Sequence, residues 1–403
     1  MHMSGAIVIV GAGQAAASVA LRLRANGASE PIVMFGNEGH IPYQRPPLSK
    51  KYLAGTHPVE NLYIRPTEFW LQNDVRLCMD GHVDALNLAE KTVEFGGERM
   101  AWEKLVLATG SRARPMPNIF LDRRNTFELR SISDVARLSP SFLPGRRLVV
   151  VGGGFIGLET AAVASKAGLE VTVIERARRI LERAVCPNVS AHIREMHQAS
   201  GVRIIEGRDI LDVAGGADIK EIVLDDLERI AADIVLVGIG VVAEDHLAQR
   251  AGIATQNGIL VDDRGRTSSS NVWAAGDCTA FPYRGRTIRL ENVQNAIEQA
   301  EVVADDICGR PVSYSPVPWF WSDQYASKLQ IVGLAQGYDD VVVRHGDRGM
   351  SCWYFNGGTL AAVAAVDDAR AYMTAKKMLE RGISADRERL SDPALDLKAL
   401  LAA

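Results

Sequence analysis

One arrangement occurs twice in the 403 residues and limits the fold more than any other feature. "IVIVGAGQAAASVALRL" spans Ile7–Leu23, and "RLVVVGGGFIGLET" spans Arg147–Thr160. Each opens with a β-branched run without polar alternation, the mark of a strand buried on both faces in a parallel sheet. Each then turns on glycine and enters a helical pattern. A second strand follows, "PIVMFG" (Pro31–Gly36) in the first copy and "EVTVIE" (Glu170–Glu175) in the second, so both copies read as βαβ units. Their separation rules out a short solenoid repeat and indicates duplication of a whole domain.

Other strands can be placed by composition. "KLVLATGS" (Lys104–Ser111), "ADIVLVGIG" (Ala232–Gly240) and "SNVWAAGDC" (Ser270–Cys278) each run from apolar residues into glycine. The strand about Trp273 has no βαβ partner of its own. It is expected in the first domain, which makes the second nucleotide domain an insertion. From about Pro316 the texture changes: "KLQIVGLA", "VVVRHG", "MSCWYF" and "LAAVAAV" read as a meander of strands before a helix near Arg370–Arg381. The expected domains are residues 1–112 with 245–315, residues 113–244 inserted, and residues 316–403 at the C-terminus. The fold class is α/β: two Rossmann-like dinucleotide-binding domains plus a C-terminal α/β domain. Between the first two strands and the third lies "IPYQRPPLSKKY" (Ile41–Tyr52), whose prolines make a loop leading to a short helix.

Composition narrows the functional classes. A formal net charge of -4 with no basic tract argues against nucleic-acid binding. No stretch of about twenty apolar residues is available for a membrane span. The N-terminal apolar run is short, lacks a basic leader and ends in glycine, so it reads as a strand rather than a signal peptide, and a cytoplasmic protein is expected. Met1–Met3 are assigned no role. The cysteines (Cys78, Cys186, Cys278, Cys308 and Cys352) are odd in number and widely spaced without CxxC, which fits reduced thiols and no metal or iron–sulfur site in this chain.

In the first glycine turn, Gly11 allows the tight bend and Gly13 lets backbone approach a pyrophosphate. Ala16 stands where a third glycine gives close helix packing, an accepted variant. The second turn carries Gly152, Gly154 and Gly157. The helix N-terminus then offers unpaired N–H groups and a positive dipole end to phosphate. An acid about twenty residues on should bind ribose hydroxyls, and Glu175 is so placed. Such a carboxylate accepts from the 2'-OH of NADH and repels a 2'-phosphate, although Arg176, Arg178 and Arg179 follow and suit a phosphate. In the first copy the strand ends "MFGNE", with Asn37 and then Glu38.

The order of "ATGSRARP", "GGGFIGLE", "GIG" and "AAGDC" resembles the two-dinucleotide-domain flavoproteins of the glutathione reductase superfamily. "PYQRPPLSKKYLAG", "LENVQNAIEQA" and "VPWFWSDQY" narrow this resemblance. They are similar to the FAD-dependent, NADH-dependent ferredoxin reductases of Rieske oxygenase and cytochrome P450 systems, the putidaredoxin reductase and biphenyl dioxygenase reductase type. The likeness runs from Ala6 to about Met378. It implies FAD in the first domain and NADH in the inserted one. By position, FAD would contact Gly11, Gly13, Ala15 and Ala16, then Asn37 or Glu38, Arg45 and Lys50 of the proline loop, and Val83. Ala108, Thr109, Gly110, Arg130, Gly276, Asp277, Trp321 and the helix start at Val293 complete that set. A helix N-terminus there suits the negative charge of reduced flavin. NADH would contact Gly152, Gly154, Ile156, Gly157, Glu159, Glu175, Gly238, Gly240 and Arg183; for Arg183 a solvated surface role is nearly as good a reading. The departure is Asn37, where relatives often place an acid.

The resemblance implies catalytic roles for Lys50, Glu159 and Trp321. Lys50 by default is a surface lysine, but in the family this loop lies over the flavin. Glu159 by default complements its helix dipole, but across the nicotinamide it can pair with Lys50. Trp321 would lie by the flavin, while Trp319 is left as core. Cys278 beside Asp277 reads as packing. The disulfide reductases of the superfamily need paired cysteines by the flavin, and neither "GAGQAAASVA" nor "PPLSKKYLAG" has one. Electrons should therefore leave singly, to a two-iron two-sulfur ferredoxin serving an oxygenase or P450, with Arg310 and Lys328 as guesses for its docking patch. A rubredoxin reductase, or a redox-sensing flavoprotein like apoptosis-inducing factor, is the alternative. No nucleic acid, membrane or metal is expected, and the chain should be a monomer or weak dimer.

Overall fold

The computed structural model describes residues 5–346, 349–392 and 394–401; Met1–Met3 lie outside them. The chain divides into two compact units: 1–45, 57–112 and 241–316 form one, and 46–56, 113–240 and 317–403 the other.

The first unit is built on a parallel sheet of five strands. Their order is Val272–Ala274, Lys104–Leu107, Ile7–Val10, Ile32–Phe35 and Val75–Cys78. The two helices Gln14–Ala25 and Val293–Ile307 share one core with it. Ala16, Ala20, Ala296, Ala300 and Ala304 are all buried there and let the helix backbones come close. Arg22 fixes the pair of helices through a bidentate grip on Asp305 at 2.8 and 2.9 Å. A three-stranded antiparallel meander, Val83–Asn87, Thr92–Phe95 and Glu98–Ala101, completes this unit's main features.

The second unit repeats the plan. Its parallel sheet runs Thr126–Phe127, Ile234–Val237, Arg147–Val151, Glu170–Glu175 and Arg203–Glu206. It too has a meander, Ile210–Gly215, Ile219–Leu224 and Arg229–Ala231. The edge strand beside the first unit's Lys104–Leu107 comes from late in the chain, whereas the matching edge of the second comes from early in its segment. The ends of the 114–240 segment meet: Arg114 N donates to Gly240 O at 2.9 Å.

The second unit also contains an antiparallel sheet ordered Trp319–Gln324, Ser327–Gly333, Thr359–Val366, Met350–Asn356 and Asp340–His345. This corrects the expected simple meander, because Ser327–Gly333 pairs with Thr359–Val366 and not with the next strand in sequence. The reason lies in side-chain polarity. "LAAVAAV" is almost wholly buried and needs a neighbour on either side, while half-exposed Asp340–His345 is suited to an edge. The helix Ala369–Glu380 packs its Ala371, Tyr372, Ala375, Met378 and Leu379 on this sheet. Its N-terminus is capped by the Asp368 side chain, which accepts from Ala371 N at 2.9 Å.

Candidate functional site

Gly11 and Gly152 occupy the same backbone state, with φ of +116° and +107°. A Cβ on Gly11 would stand 2.1 Å from Ala108 O, and one on Gly152 would stand 2.4 Å from Gly238 O. Each turn is thus pressed against the end of the neighbouring sheet strand, and only glycine fits. Above the turns the opposite holds. A Cβ on Gly13 or Gly154 would meet nothing within 4 Å, and no side chain caps the helices that start there. Open space against uncapped N–H groups is what a dinucleotide phosphate requires.

In the first unit, further polar groups converge on sites of the FAD set. Ser111 Oγ donates to Asp277 Oδ2 at 2.8 Å, and Thr109 Oγ1 to Glu244 O at 2.5 Å. Gln299 Oε1 accepts from Gly276 N at 2.8 Å, while its buried Nε2 has no partner among the described residues. Arg289 Nε is likewise buried and unpartnered. Orphaned donors of this kind beside an open glycine turn fit a polar ligand. Ala15, Ala16, Val83 and Ala108 are buried apolar walls. Asn37 is exposed. Glu38 Oε1 accepts from Arg45 Nη2 at 2.5 Å, and Glu38 Oε2 from the Tyr43 hydroxyl, so Arg45 and Glu38 form one cluster. Asn292 caps the Val293 helix by accepting from Asn295 N at 2.7 Å.

In the second unit, Glu175 does more than its spacing suggested. Its Oε2 accepts from Gly153 N and its Oε1 from Ala177 N, both at 2.7 Å. The carboxylate therefore braces the glycine turn, and further lone pairs stay open for a ribose. Gly240 has φ +102° with open space around it, and Ile156 and Arg183 are exposed.

The same unit holds a second constellation. Pro46–Ser49 form a single 3₁₀ turn, closed by Lys50 N and Tyr52 N donating to Pro47 O at 3.0 Å. This turn aims Ser49 and Lys50 at one carboxylate. Lys50 Nζ and Ser49 Oγ each lie 2.5 Å from Glu159 Oε2, and Ser322 Oγ donates to Glu159 Oε1 at 2.6 Å. Glu159 is buried, at 4% exposure, in the helix Phe155–Lys166. A buried carboxylate held by an ammonium and two hydroxyls is fully paired. Trp321 neighbours Ser322 on the strand and stacks on Trp319 at 5.5 Å between centroids. Trp319 is only partly buried and packs on the C-terminal core.

Two open glycine turns on uncapped helices, one braced by its acid, define a protein of two dinucleotides. A family model described as pyridine nucleotide-disulphide oxidoreductase matches residues 5–300, and one described as reductase C-terminal matches 319–401. The chain belongs to the pyridine nucleotide-disulphide oxidoreductases. It is 36% identical to putidaredoxin reductase of Pseudomonas putida, over 100% of this chain and 98% of that protein. It is 38% identical to rhodocoxin reductase of Rhodococcus erythropolis, over 98% of this chain and 94% of that one. The crystal structure of the covalent putidaredoxin reductase–putidaredoxin complex superposes with a TM-score of 0.95 at 35% identity, covering 100% of this chain and 99% of that one.

Within this family member, the remaining sequence candidates are dispersed. Arg130 belongs to the second unit and is half-buried. Arg310 is exposed in the first unit, and Lys328, also exposed, lies in the second 3.9 Å from Asp323. Cys278 is fully buried and its thiol contacts the carbonyls of Leu107 and Ala275; burial pushes its pKa up and keeps it an unreactive thiol.

Sequence reasoning missed Ser49, Ser322, Gln324 and His197, described below. Ser322 and Gln324 carried one usable signal, polar residues two apart on the buried face of a strand with exposed Asp323 between. It also missed that Cys186 and Cys352, far apart in sequence, share a hydrogen bond. The Cys352 thiol, helped by Tyr354 and the amides of Val189 and Asn188, lowers the pKa of Cys186 against the effect of burial. All five cysteines are free.

Proposed function

We propose that this chain is an NADH:ferredoxin oxidoreductase, holding FAD on its first glycine turn and receiving NADH on its second. Electrons pass singly to a two-iron two-sulfur ferredoxin that supplies a Rieske oxygenase or cytochrome P450. The observation that carries the reading is the end-to-end likeness to putidaredoxin reductase, a protein whose structure is known in covalent complex with putidaredoxin. The functional domains on this reading are residues 1–112 with 245–315 for FAD, 113–244 for NADH and 316–403 at the C-terminus. No described helix is long and apolar enough to cross a membrane, and a cytoplasmic monomer or weak dimer goes with this reading.

FAD, when bound, accepts a hydride from reduced nicotinamide and gives the two electrons up one at a time. The protein's own groups set the conditions. Gly11 and Gly13 bring backbone amides to its pyrophosphate, and Asp277, fixed by Ser111, holds a hydroxyl. Gly152, Gly154 and Gly157 do the same for the nicotinamide dinucleotide, and Glu175 accepts from its ribose. Lys50 presents positive charge for electron-rich flavin, and Glu159 holds that ammonium in place while excluding water. Trp321, stacked on Trp319, is the aromatic side chain that the resemblance assigns to the flavin. Cys278, buried and protonated, takes no part.

The test is an anaerobic titration. The purified protein should be yellow and should bleach with one equivalent of NADH, then reduce a two-iron two-sulfur ferredoxin faster than a rubredoxin. A protein unable to bind FAD would overturn the reading, and a preference for rubredoxin would reassign the acceptor.

A further inference from the structure

Behind Glu159 a line of buried polar groups runs away from Lys50. Gln324 Nε2 donates to Ser322 Oγ at 3.0 Å, His197 Nε2 lies 2.7 Å from Gln324 Oε1, and the Tyr325 hydroxyl lies 3.4 Å from His197 Nδ1. Ser322, Gln324 and His197 are exposed by 1%, 2% and 0%. None of them belongs to the glycine turns.

Counting protons gives this line one direction. Glu159 Oε1 as a carboxylate only accepts, so Ser322 spends its single proton there and must accept from its other neighbour. That neighbour is Gln324, whose NH₂ must therefore face Ser322 and whose carbonyl must face His197. A carbonyl cannot donate, so His197 carries its proton on Nε2. Burial lowers the pKa of His197 and keeps the ring neutral, which leaves Nδ1 as the acceptor nitrogen. The charge on Glu159 thus sets the orientation of every hydrogen bond as far as His197. The line also ties together the helix Phe155–Lys166, the strand Trp319–Gln324 and the helix Pro187–Ala199, which carry Glu159, Trp321 and His197.

We propose that Ser322, Gln324 and His197 are positioning residues that hold the Glu159 carboxylate, and through it Lys50, in the orientation needed for hydride transfer. The proposal deepens the electron-transfer reading and rests on it. Ser322 fixes Oε1, which commits Oε2 to Lys50 and Ser49.

The test combines stopped-flow reduction by NADH with NMR of the FAD-loaded protein carrying isotope-labelled histidine. Ser322→Ala should lower the limiting rate of reduction by NADH about tenfold, the size of one lost hydrogen bond to a charged group, with the apparent Kd for NADH changed by less than about twofold. Ser322→Thr, which keeps the hydroxyl, should recover most of that rate. The parent should show His197 as the pure Nε2–H tautomer, and Glu159→Ala should mix the tautomers by freeing Ser322 and Gln324 to turn. If Ser322→Ala does not fold, Gln324→Met cuts the same line at similar volume and is read in the same way. An unchanged reduction rate with an unchanged His197 tautomer would overturn the proposal. A parent that is not reduced by NADH would instead overturn the electron-transfer reading, since the tautomer measurement does not depend on turnover.

Discussion

At the third position of the glycine signature, the first unit carries Ala16 and the second carries Gly157. A Cβ on Gly157 would lie 2.3 Å from Gly152 O, whereas the Ala16 methyl is accommodated with no exposure. The second helix therefore sits closer to its turn. A related exchange occurs beside it. The pairing of Val10 with Phe35 and of Val151 with Ile174 makes Gly36 the counterpart of Glu175, and Ala12 the counterpart of Gly153. A Cβ on Gly36 would stand 2.6 Å from the Ala12 methyl, while one on Gly153 would stand 2.6 Å from Ile180 Cγ2 and 3.2 Å from Glu175. Each unit has room for one side chain at this contact, and the two units take it from opposite strands. The first unit fills the space with a methyl and displaces its acid to Glu38, where Arg45 and Tyr43 hold it. The second keeps the space for Glu175.

The largest effects should come from closing the turns. Gly11→Ala and Gly152→Ala each place a methyl into a carbonyl at positive φ, at a cost of at least about 1–3 kcal/mol. Gly11→Ala should give protein depleted of FAD, measured by absorbance. Gly152→Ala should stay yellow but lose reduction by NADH. Equal loss of colour in both variants would break the division of labour between the turns. A smaller effect is expected from Glu175→Ala, which removes the ribose acceptor and unbraces Gly153 and Ala177. KM for NADH should rise about tenfold and the gap to NADPH should narrow, the worth of about one charged hydrogen bond. A parent that already prefers NADPH would contradict the assignment of Glu175.

The smallest effect concerns the sheets. In the second unit Arg147 makes a two-point contact with Asp233 at 2.7 and 3.0 Å, where the first has a single contact of 2.9 Å between Lys104 and Glu30. The Arg147 guanidinium holds the Asp233 carboxyl down at about 2, from 3.8. Since the folded value is the lower one, the stabilisation is present above pH 4 and is lost as pH falls towards 2. Asp233→Asn should cost about 1 kcal/mol at pH 7 for this partly exposed pair, by chemical denaturation, and its difference from the parent should vanish near pH 2. A difference that persists in acid would assign the loss to packing instead.

The two βαβ units were legible because glycine turns and β-branched runs are local signals. The strand order of the C-terminal sheet was not, because pairing of Ser327–Gly333 with Thr359–Val366 depends on which strand must be buried on both faces, a property of the assembled sheet. The three-stranded meanders were also missed, since their short strands mix exposed charge with single buried residues such as Val83 and Val93. At the candidate site, Lys50 and Glu159 were named through a resemblance, and no spacing rule joins residues so distant in sequence. His197 carried no signal at all; its role depends on Gln324, which reaches it only across the folded second unit.

The hydrogen bond between Arg114 and Gly240 gives the inserted segment a starting point and an end point side by side. A stretch with adjoining ends can enter a host chain without stretching it, and the entropy of closing that long excursion is met within the segment. Substitutions can then accumulate between those two residues while the path of the host strand through Lys104–Leu107 stays as it was.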